Sequence, residues 1–309
     1  MAKSSVNVLD EAHGETWAAY QADCVDFASQ MPSNSIDFSI YSPPFSNLYV
    51  YSDSICDMGN SVDDGEFFRQ YSFLIREKYR ITKPGRLSAV HCIDLPNFKW
   101  KDGHTSLRDF QGEIIREHLA HGWRFHSRIT IWKDPVVEMQ RTKAIGLLYK
   151  QIKKDSTVSR MGLADYMLVF RKDGDGEHPV SHTAAKFPVE QWQKWASPVW
   201  MDIRQSNVLN GKDARQDKDE KHICPLQLDV IERCLHLWTN EGDTVFSPFM
   251  GIGSEGYQSV KFRRRFIGTE LKASYFAQAV DFLRRIEAES ASLFDRSHAD
   301  RQQLAEVVS

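Results

Sequence analysis

An α/β fold, with a Rossmann-like, mostly parallel sheet covered by helices on both faces, is what this 309-residue sequence predicts. Three observations point to it. Short runs rich in β-formers alternate with amphipathic helical segments along most of the chain. A glycine-rich stretch, Ser247 to Gly256, joins a strand pattern to a helix pattern, as phosphate- and nucleotide-facing loops do. A hydrophobic content of 41% with 26% charged residues suits one large buried core or two modest ones.

Residues 1–20 read as a helical or irregular lead-in, and Gln21 to Gln30 as a short strand and turn. Pro32-Ser33-Asn34 turns the chain into Ser35–Tyr41, an alternating run of strand character. Ser42-Pro43-Pro44-Phe45 stops that ladder, because neither proline has an N–H to donate and each fixes φ near −65°. The polar, tyrosine-bearing stretch Ser46 to Gly65 is long for a connection, and such loops are usually functional. Apolar residues from Phe67 to Tyr79 recur at helical spacing, with Lys83-Pro84-Gly85 expected to close the helix. Arg86–Cys92 follows as a strand, Asp94–Thr105 as a polar loop, and Phe110–Ala120 as a helix stopped by Gly122. Trp123–Trp132 and Asp165–Arg171 read as a strand and its return partner. After the turn at Asp173–Gly176, the pattern fades into a loop-rich insert to about Lys221. Pro225–Trp238 is an amphipathic helix ended by Asn240-Glu241-Gly242-Asp243. Strand Thr244–Ser247, helix Glu255–Phe262, strand Phe266–Thr269 and a long helix from Ala273 to about Glu289 complete the chain.

Five scattered cysteines without Cys-x-x-Cys spacing argue against a disulfide framework or a zinc site. The polar N-terminal stretch lacks a signal-peptide core, and no run approaches the roughly 18 apolar residues of a membrane span. A cytoplasmic protein is the expectation. The net charge of −3 does not suggest a nucleic-acid binder, but its distribution is uneven. Arg141, Lys143, Lys150, Lys153, Lys154, Arg160, Arg171 and Lys172 face only Asp155 and Asp165 over that stretch, and are interleaved with Tyr149 and Tyr166. A segment of that kind can grip phosphates.

Two motifs carry chemistry. At Ser42-Pro43-Pro44-Phe45 a hydroxyl, a rigid carbonyl and a ring can grip a planar molecule bearing an amino group: the amine donates to the oxygens while the ring stacks. At Ser247-Pro248-Phe249-Met250-Gly251-Ile252-Gly253-Ser254-Glu255-Gly256, glycines let backbone approach a ligand at a helix N-terminus. Gly251, Gly253 and Gly256 spell G-x-G-x-x-G, and Glu270 follows at the end of the next strand, the pattern of a dinucleotide site. A nicotinamide cofactor is disfavoured, however. The motif lies too near the C-terminus for a second nucleotide-binding half, and Pro248-Phe249 separates the strand from the glycines.

The first motif fits the Asp/Asn/Ser-Pro-Pro-Tyr/Phe/Trp signature of the DNA amino-methyltransferases, and the second resembles their Asp-Pro-Phe-x-Gly-x-Gly-Thr loop for S-adenosylmethionine. With the catalytic motif first, a basic segment in the middle and the cofactor motif last, the chain resembles the β group of that family. The resemblance implies a permuted class I methyltransferase fold with a loop-rich target-recognition insert. Its expected parts are a catalytic half over 1–136, a basic hairpin and recognition region over 137–220, and a cofactor-binding half over 221–309.

By the same resemblance, Ser42, Pro43, Pro44 and Phe45 would be catalytic. Asp23, His222, Pro225, Gln227, Ser247, Phe249, Gly251, Gly253 and Glu270 would hold S-adenosylmethionine, with Glu270 on the ribose. Ser247 stands where the family usually has Asp, which calls for another acid to compensate. Tyr49, Tyr51, Arg141, Lys143, Lys150, Lys153, Lys154 and Arg160 would contact double-stranded DNA. The target base would be flipped out, with Phe45 stacked on it. A homodimer associated with the nucleoid and working in restriction–modification is the implied setting. Ser at the first motif position is commoner in cytosine-N4 enzymes, whereas the Tyr-Ser-Pro-Pro-Phe-Ser-Asn-Leu-Tyr context resembles adenine-N6 enzymes. Adenine is favoured, and a DNA-binding regulator that has lost chemistry is the alternative of a different class.

Overall fold

The computed structural model describes residues 8–45, 58–98, 102–142, 149–158, 160–209 and 225–308, without the side chains of 140–142, 158 and 291–308. The strands are β1 (Asp10–His13), β2 (Trp17–Gln21), β3 (Ile36–Tyr41), β4 (Thr82–Cys92), β5 (Leu95–Asn97), β6 (Ser106–Arg108), β7 (Arg124–Ile131), β8 (Asp165–Arg171), β9 (Val199–Trp200), β10 (Thr244–Ser247) and β11 (Arg265–Glu270). The helices are α1 (Cys24–Gln30), α2 (Asp64–Ile81), α3 (Phe110–Ala120), α4 (Pro135–Thr142), α5 (Tyr149–Ile152), α6 (Val189–Trp195), α7 (Leu228–Trp238), α8 (Ser254–Lys261) and α9 (Ala273–Val308).

Nine strands form one sheet in the order β1-β2-β11-β10-β3-β4-β8-β7-β9, while β5 and β6 pair as a small hairpin. From β2 to β4 every neighbour is parallel, and β4-β8 and β8-β7 are antiparallel. The central strands are buried on both faces, as covered parallel strands must be. Phe38, Ile40, Ala89, Met167, Val169 and Val245 look to one side, where α7, α8 and α9 supply Val230, Ile231, Val260, Ala279 and Leu283. Tyr41, Val90, Leu168, Phe170 and Phe246 look to the other, against Ala28 of α1, Phe67, Tyr71 and Leu74 of α2, and Phe110 and Ile114 of α3.

Several expectations are corrected. The lead-in contains the hairpin β1–β2, whose alternation buries Trp17 and Ala19, and β2 joins the sheet beside β11. Residues 24–30 are helical because Asp23 caps α1, its Oδ1 accepting from the N–H groups of Val25 and Asp26 at 2.9 Å. Helix α2 ends at Ile81, where Thr82 Oγ1 donates to the Lys78 carbonyl at 2.7 Å. Lys83-Pro84-Gly85 therefore opens β4 rather than closing the helix, and Gly85 (φ 73°) lies where a Cβ would come within 2.6 Å of the Gly176 nitrogen. The 94–105 loop holds β5, and the loop-rich insert holds α6 and β9, with β9 pairing parallel to β7. Helix α7 begins at Leu228, three residues after Pro225, and α9 runs to Val308 rather than to about Glu289. Among the described residues, no helix is long and apolar enough to cross a membrane, and no cluster of metal-ligating side chains occurs.

Candidate active site at the carboxyl edge of the sheet

Strands β10 and β3 are parallel neighbours, but the chain leaves them in opposite directions: from β10 to β11 on one side, from β3 to β4 on the other. That reversal opens a crevice at their carboxyl ends, where open α/β sheets bind ligands. Both motifs empty into it. Tyr41, the last residue of β3, packs its ring 5.8 Å from that of Phe249 after β10. Tyr41 is itself pinned from below: Lys78 Nζ donates to its hydroxyl at 2.7 Å, and that hydroxyl lies 2.6 Å from the Tyr71 hydroxyl.

In the Pro-Pro loop, Ser42 is half-buried, Pro43 buried, and Pro44 and Phe45 half-buried. The Phe45 ring meets Phe110 edge-on at 6.4 Å and His91 at 6.5 Å. Ser42 Oγ lies 2.6 Å from His91 Nδ1. His91 Nε2 lies 3.2 Å from Asp165 Oδ2, and Lys133 Nζ lies 2.5 Å from Asp165 Oδ1. Asp165 is 1% exposed; burial pushes its carboxyl up, but Lys133 and His91 outweigh burial and hold it below the usual carboxylate range. Sequence reasoning missed these three residues. They come from β4, β8 and the turn after β7, and no local spacing connects them.

The glycine loop is built on β11. Thr269 Oγ1 donates to the Pro248 carbonyl at 2.8 Å and Met250 N–H donates to the Thr269 carbonyl at 3.0 Å. Glu270 closes it, accepting from Gly251 N–H and Lys272 N–H at 2.9 Å each. Gly251 (φ 53°) has open space where a Cβ would stand, so a ligand can approach its backbone. Gly253 (φ 91°) instead lets the loop press on α9, with Ala279 Cα 3.1 Å from the Cβ position. Ser247 is fully buried, and its Oγ, Ser254 Oγ and Gln227 Oε1 have no hydrogen-bond partner among the described residues. Orphaned buried acceptors and donors around an open glycine and a capped acid suit a polar adenosine-bearing ligand. Gln227 sits at the N-cap of α7, with the half-buried Pro225 two residues before it, and Asp23 follows β2 at the same edge; burial raises the Asp23 carboxyl despite its two backbone donors. His222 lies outside the described residues, as do Tyr49, Tyr51 and Lys143.

Of the basic residues, Lys150, Lys153 and Lys154 are exposed, with Lys153 Nζ over the Tyr149 ring at 4.8 Å. Arg141 lies in α4, its side chain not described. Arg160 is half-buried, and its guanidinium pairs with Glu138 3.1 Å away.

The family model for N6/N4 methyltransferases, described as a DNA methylase, matches residues 36–281. The chain belongs to that family. Its sequence is 25% identical to the type II methyltransferase M1.MboII of Moraxella bovis over 285 residues, 87% of this chain and 96% of that one. Among solved structures, TTHA0409 of Thermus thermophilus, determined in complex with S-adenosyl-L-methionine, superposes with a TM-score of 0.63 at 18% identity, over 86% of this chain and 93% of the other. The cytosine-N4-specific PvuII DNA methyltransferase gives 0.62 at 17% identity, over 87% and 86%. This DNA methyltransferase therefore has the class I fold, and the cofactor of its family is S-adenosylmethionine.

Proposed function

We infer that the chain methylates the exocyclic N6 of adenine in double-stranded DNA, on a base flipped into the crevice between β10 and β3. The observation that carries this reading is the meeting of the Pro-Pro loop and the glycine loop on adjacent parallel strands at the point where the chain order reverses. S-adenosylmethionine supplies an electrophilic methyl group when bound. Glu270 would accept from its ribose hydroxyls, Gly251 and Phe249 would line its path, and Ser247, Gln227, Pro225, Asp23 and Gly253 would frame the pocket. Ser42 Oγ and the Pro43 carbonyl would accept from the target amine and turn its lone pair toward the donor. Phe45, braced by Phe110, would stack on the extruded base. No covalent enzyme intermediate is needed; positioning and stabilisation of charge developing on nitrogen supply the rate.

Lys150, Lys153 and Lys154 are proposed phosphate contacts, since all three are exposed on one short basic segment. Tyr49, Tyr51, Arg141, Lys143 and His222 keep the roles the resemblance gives them. Strands from 1–136, 137–220 and 221–309 all lie in the central sheet, and catalytic, recognition and cofactor-binding roles are proposed for the three stretches in that order. Pairing of two copies is checked by sedimentation.

Cytosine N4 is the second reading, favoured by the serine at position 42. Incubating the chain with unmethylated genomic DNA and S-adenosylmethionine, then hydrolysing the DNA and weighing its nucleosides, decides between them. N6-methyladenine supports the reading; N4-methylcytosine replaces it; no methylated nucleoside, with the cofactor bound, makes the chain a DNA-binding regulator.

A further inference from the structure

We propose that His91, backed by Asp165 and Lys133, is a positioning and proton-accepting group that acts on the target amine through the Ser42 hydroxyl. The inference rests on the methyl-transfer reading above. Its basis is an unbroken line of polar contacts leading from the Pro-Pro loop into the sheet: Ser42 Oγ to His91 Nδ1 at 2.6 Å, His91 Nε2 to Asp165 at 3.2 Å, and Asp165 to Lys133 at 2.5 Å. Four separate stretches of chain supply these groups, and the sheet register brings them to one edge. His91 lies opposite Met167, one strand position from the pair Cys92–Tyr166, and Asp165 lies opposite Ile131, two residues before Lys133.

Only the Ser42–His91 contact in this line is a full hydrogen bond, and the other two are ion-pair contacts; the place of the proton follows from charge. Asp165 is held ionised and can only accept, so the proton on the imidazole belongs on Nε2. Nδ1 is then an acceptor, and the Ser42 hydroxyl donates to it. The serine lone pairs are left facing the crevice, where an amine can donate to them. An isolated serine could equally turn its own hydrogen to the substrate, so the imidazole makes Ser42 an acceptor. His91 faces Asp165 on β8, whose other carboxylate oxygen pairs with Lys133 after β7. The loop after β3 brings Ser42 and the Phe45 ring, while Asp94 and Arg128 act on the neighbouring Cys92.

During transfer the amine lone pair forms the new N–C bond as the donor's C–S bond breaks and its electrons stay on sulfur. The nitrogen becomes positive with its hydrogens in place. One of these protons passes to Ser42 Oγ as the serine proton passes to His91 Nδ1. The resulting imidazolium is paired with Asp165 and later gives its proton to water, which resets the site. Lys133 keeps Asp165 ionised and in place, although the carboxylate is buried.

The test uses the full chain, unmethylated genomic DNA and labelled S-adenosylmethionine in single-turnover mode across pH. The wild-type rate is expected to fall on the acid side, where a protonated His91 can no longer accept. His91→Gln keeps a hydrogen-bonding amide but cannot take the proton. It should lose about 10²-fold in rate and the acid limb as well, with cofactor affinity by calorimetry unchanged. Asp165→Asn paired with Lys133→Met, which removes the buried charges together, should slow turnover and move the acid limb to lower pH. Nitrogen-15 shifts of the wild-type imidazole give a reading that does not depend on any variant folding, and should report the proton on Nε2. A His91→Gln enzyme within about threefold of wild type, an unchanged acid limb, or a proton on Nδ1 would overturn the relay. A wild-type chain that binds the cofactor but never methylates DNA would instead overturn the reading beneath it.

Discussion

Glu255 shows how strongly one residue can be retuned by its place in the fold. It lies in the first turn of α8, 4% exposed, and its carboxyl is pushed up to about 8 by burial, with the charge of Glu270 adding to the effect against its own backbone hydrogen bond. Because the folded value lies above the ordinary 4.5, the folded chain keeps a proton that the unfolded chain gives up. The stability this provides is complete below that ordinary value and is lost as pH rises through about 8. Thermal midpoints of wild type and Glu255→Gln, taken without cofactor from about pH 5 to about pH 9, should diverge in this way, with the variant losing less; parallel curves would contradict the burial argument. A neutral Glu255 also cannot replace the carboxylate missing at Ser247 near neutral pH. Glu270 is the acid that ends the strand beside the loop. For Ser42 the expectation is kinetic: Ser42→Ala should lower kcat by about 10²-fold while cofactor affinity, read by calorimetry, stays put.

The glycine loop shows what one element asks of its residues. Gly251 and Gly253 look alike in sequence, and both have positive φ, but one faces open space and the other faces α9. Gly253→Ala should cost about 2 kcal/mol or more, since strained backbone and a 3.1 Å approach to Ala279 add together. Gly251→Ala should cost about 1 kcal/mol in stability and act mainly on S-adenosylmethionine affinity. Thermal melts and calorimetry on the two variants separate these effects; equal losses of affinity would contradict the assignment. The strand–loop–helix unit was legible in the sequence because its spacing is local. The β1–β2 hairpin was not, since what makes β2 a strand is its parallel register against β11, 249 positions away at Trp17↔Phe266. Lys83-Pro84-Gly85 was misread for a related reason. Pro-Gly usually ends a helix, but here Thr82 had already done so and Gly85 serves a close approach to a second turn at Gly174–Gly176.

Across the whole molecule, the two distant halves of the sequence are joined at both ends of the central strands. At the carboxyl edge they share the crevice. At the opposite edge Asp37 at the start of β3 takes Lys83 Nζ at 2.7 Å and Arg86 at 3.2 Å, and Arg86 reaches Asp243 before β10 at 3.1 Å. Asp37 also accepts from Thr244 N–H at 2.9 Å. Arg86→Met would take one of two cations from the buried Asp37, which keeps Lys83 and the Thr244 N–H, and the guanidinium from the half-buried Asp243; it should cost about 2 kcal/mol, measured by denaturant unfolding, without changing the order of the sheet. By itself the sequence determined the α/β class, the two motif loops and the family, because each depends on residues close together in the chain whose backbone needs are fixed by proline, glycine and periodicity. Only the tertiary structure decided that the loops share one crevice, that Arg160 pairs with Glu138, and that His91, Asp165 and Lys133 stand behind Ser42. The reason is register: which side chains meet across a sheet is set by how separate strands align, and no spacing within any one strand records that.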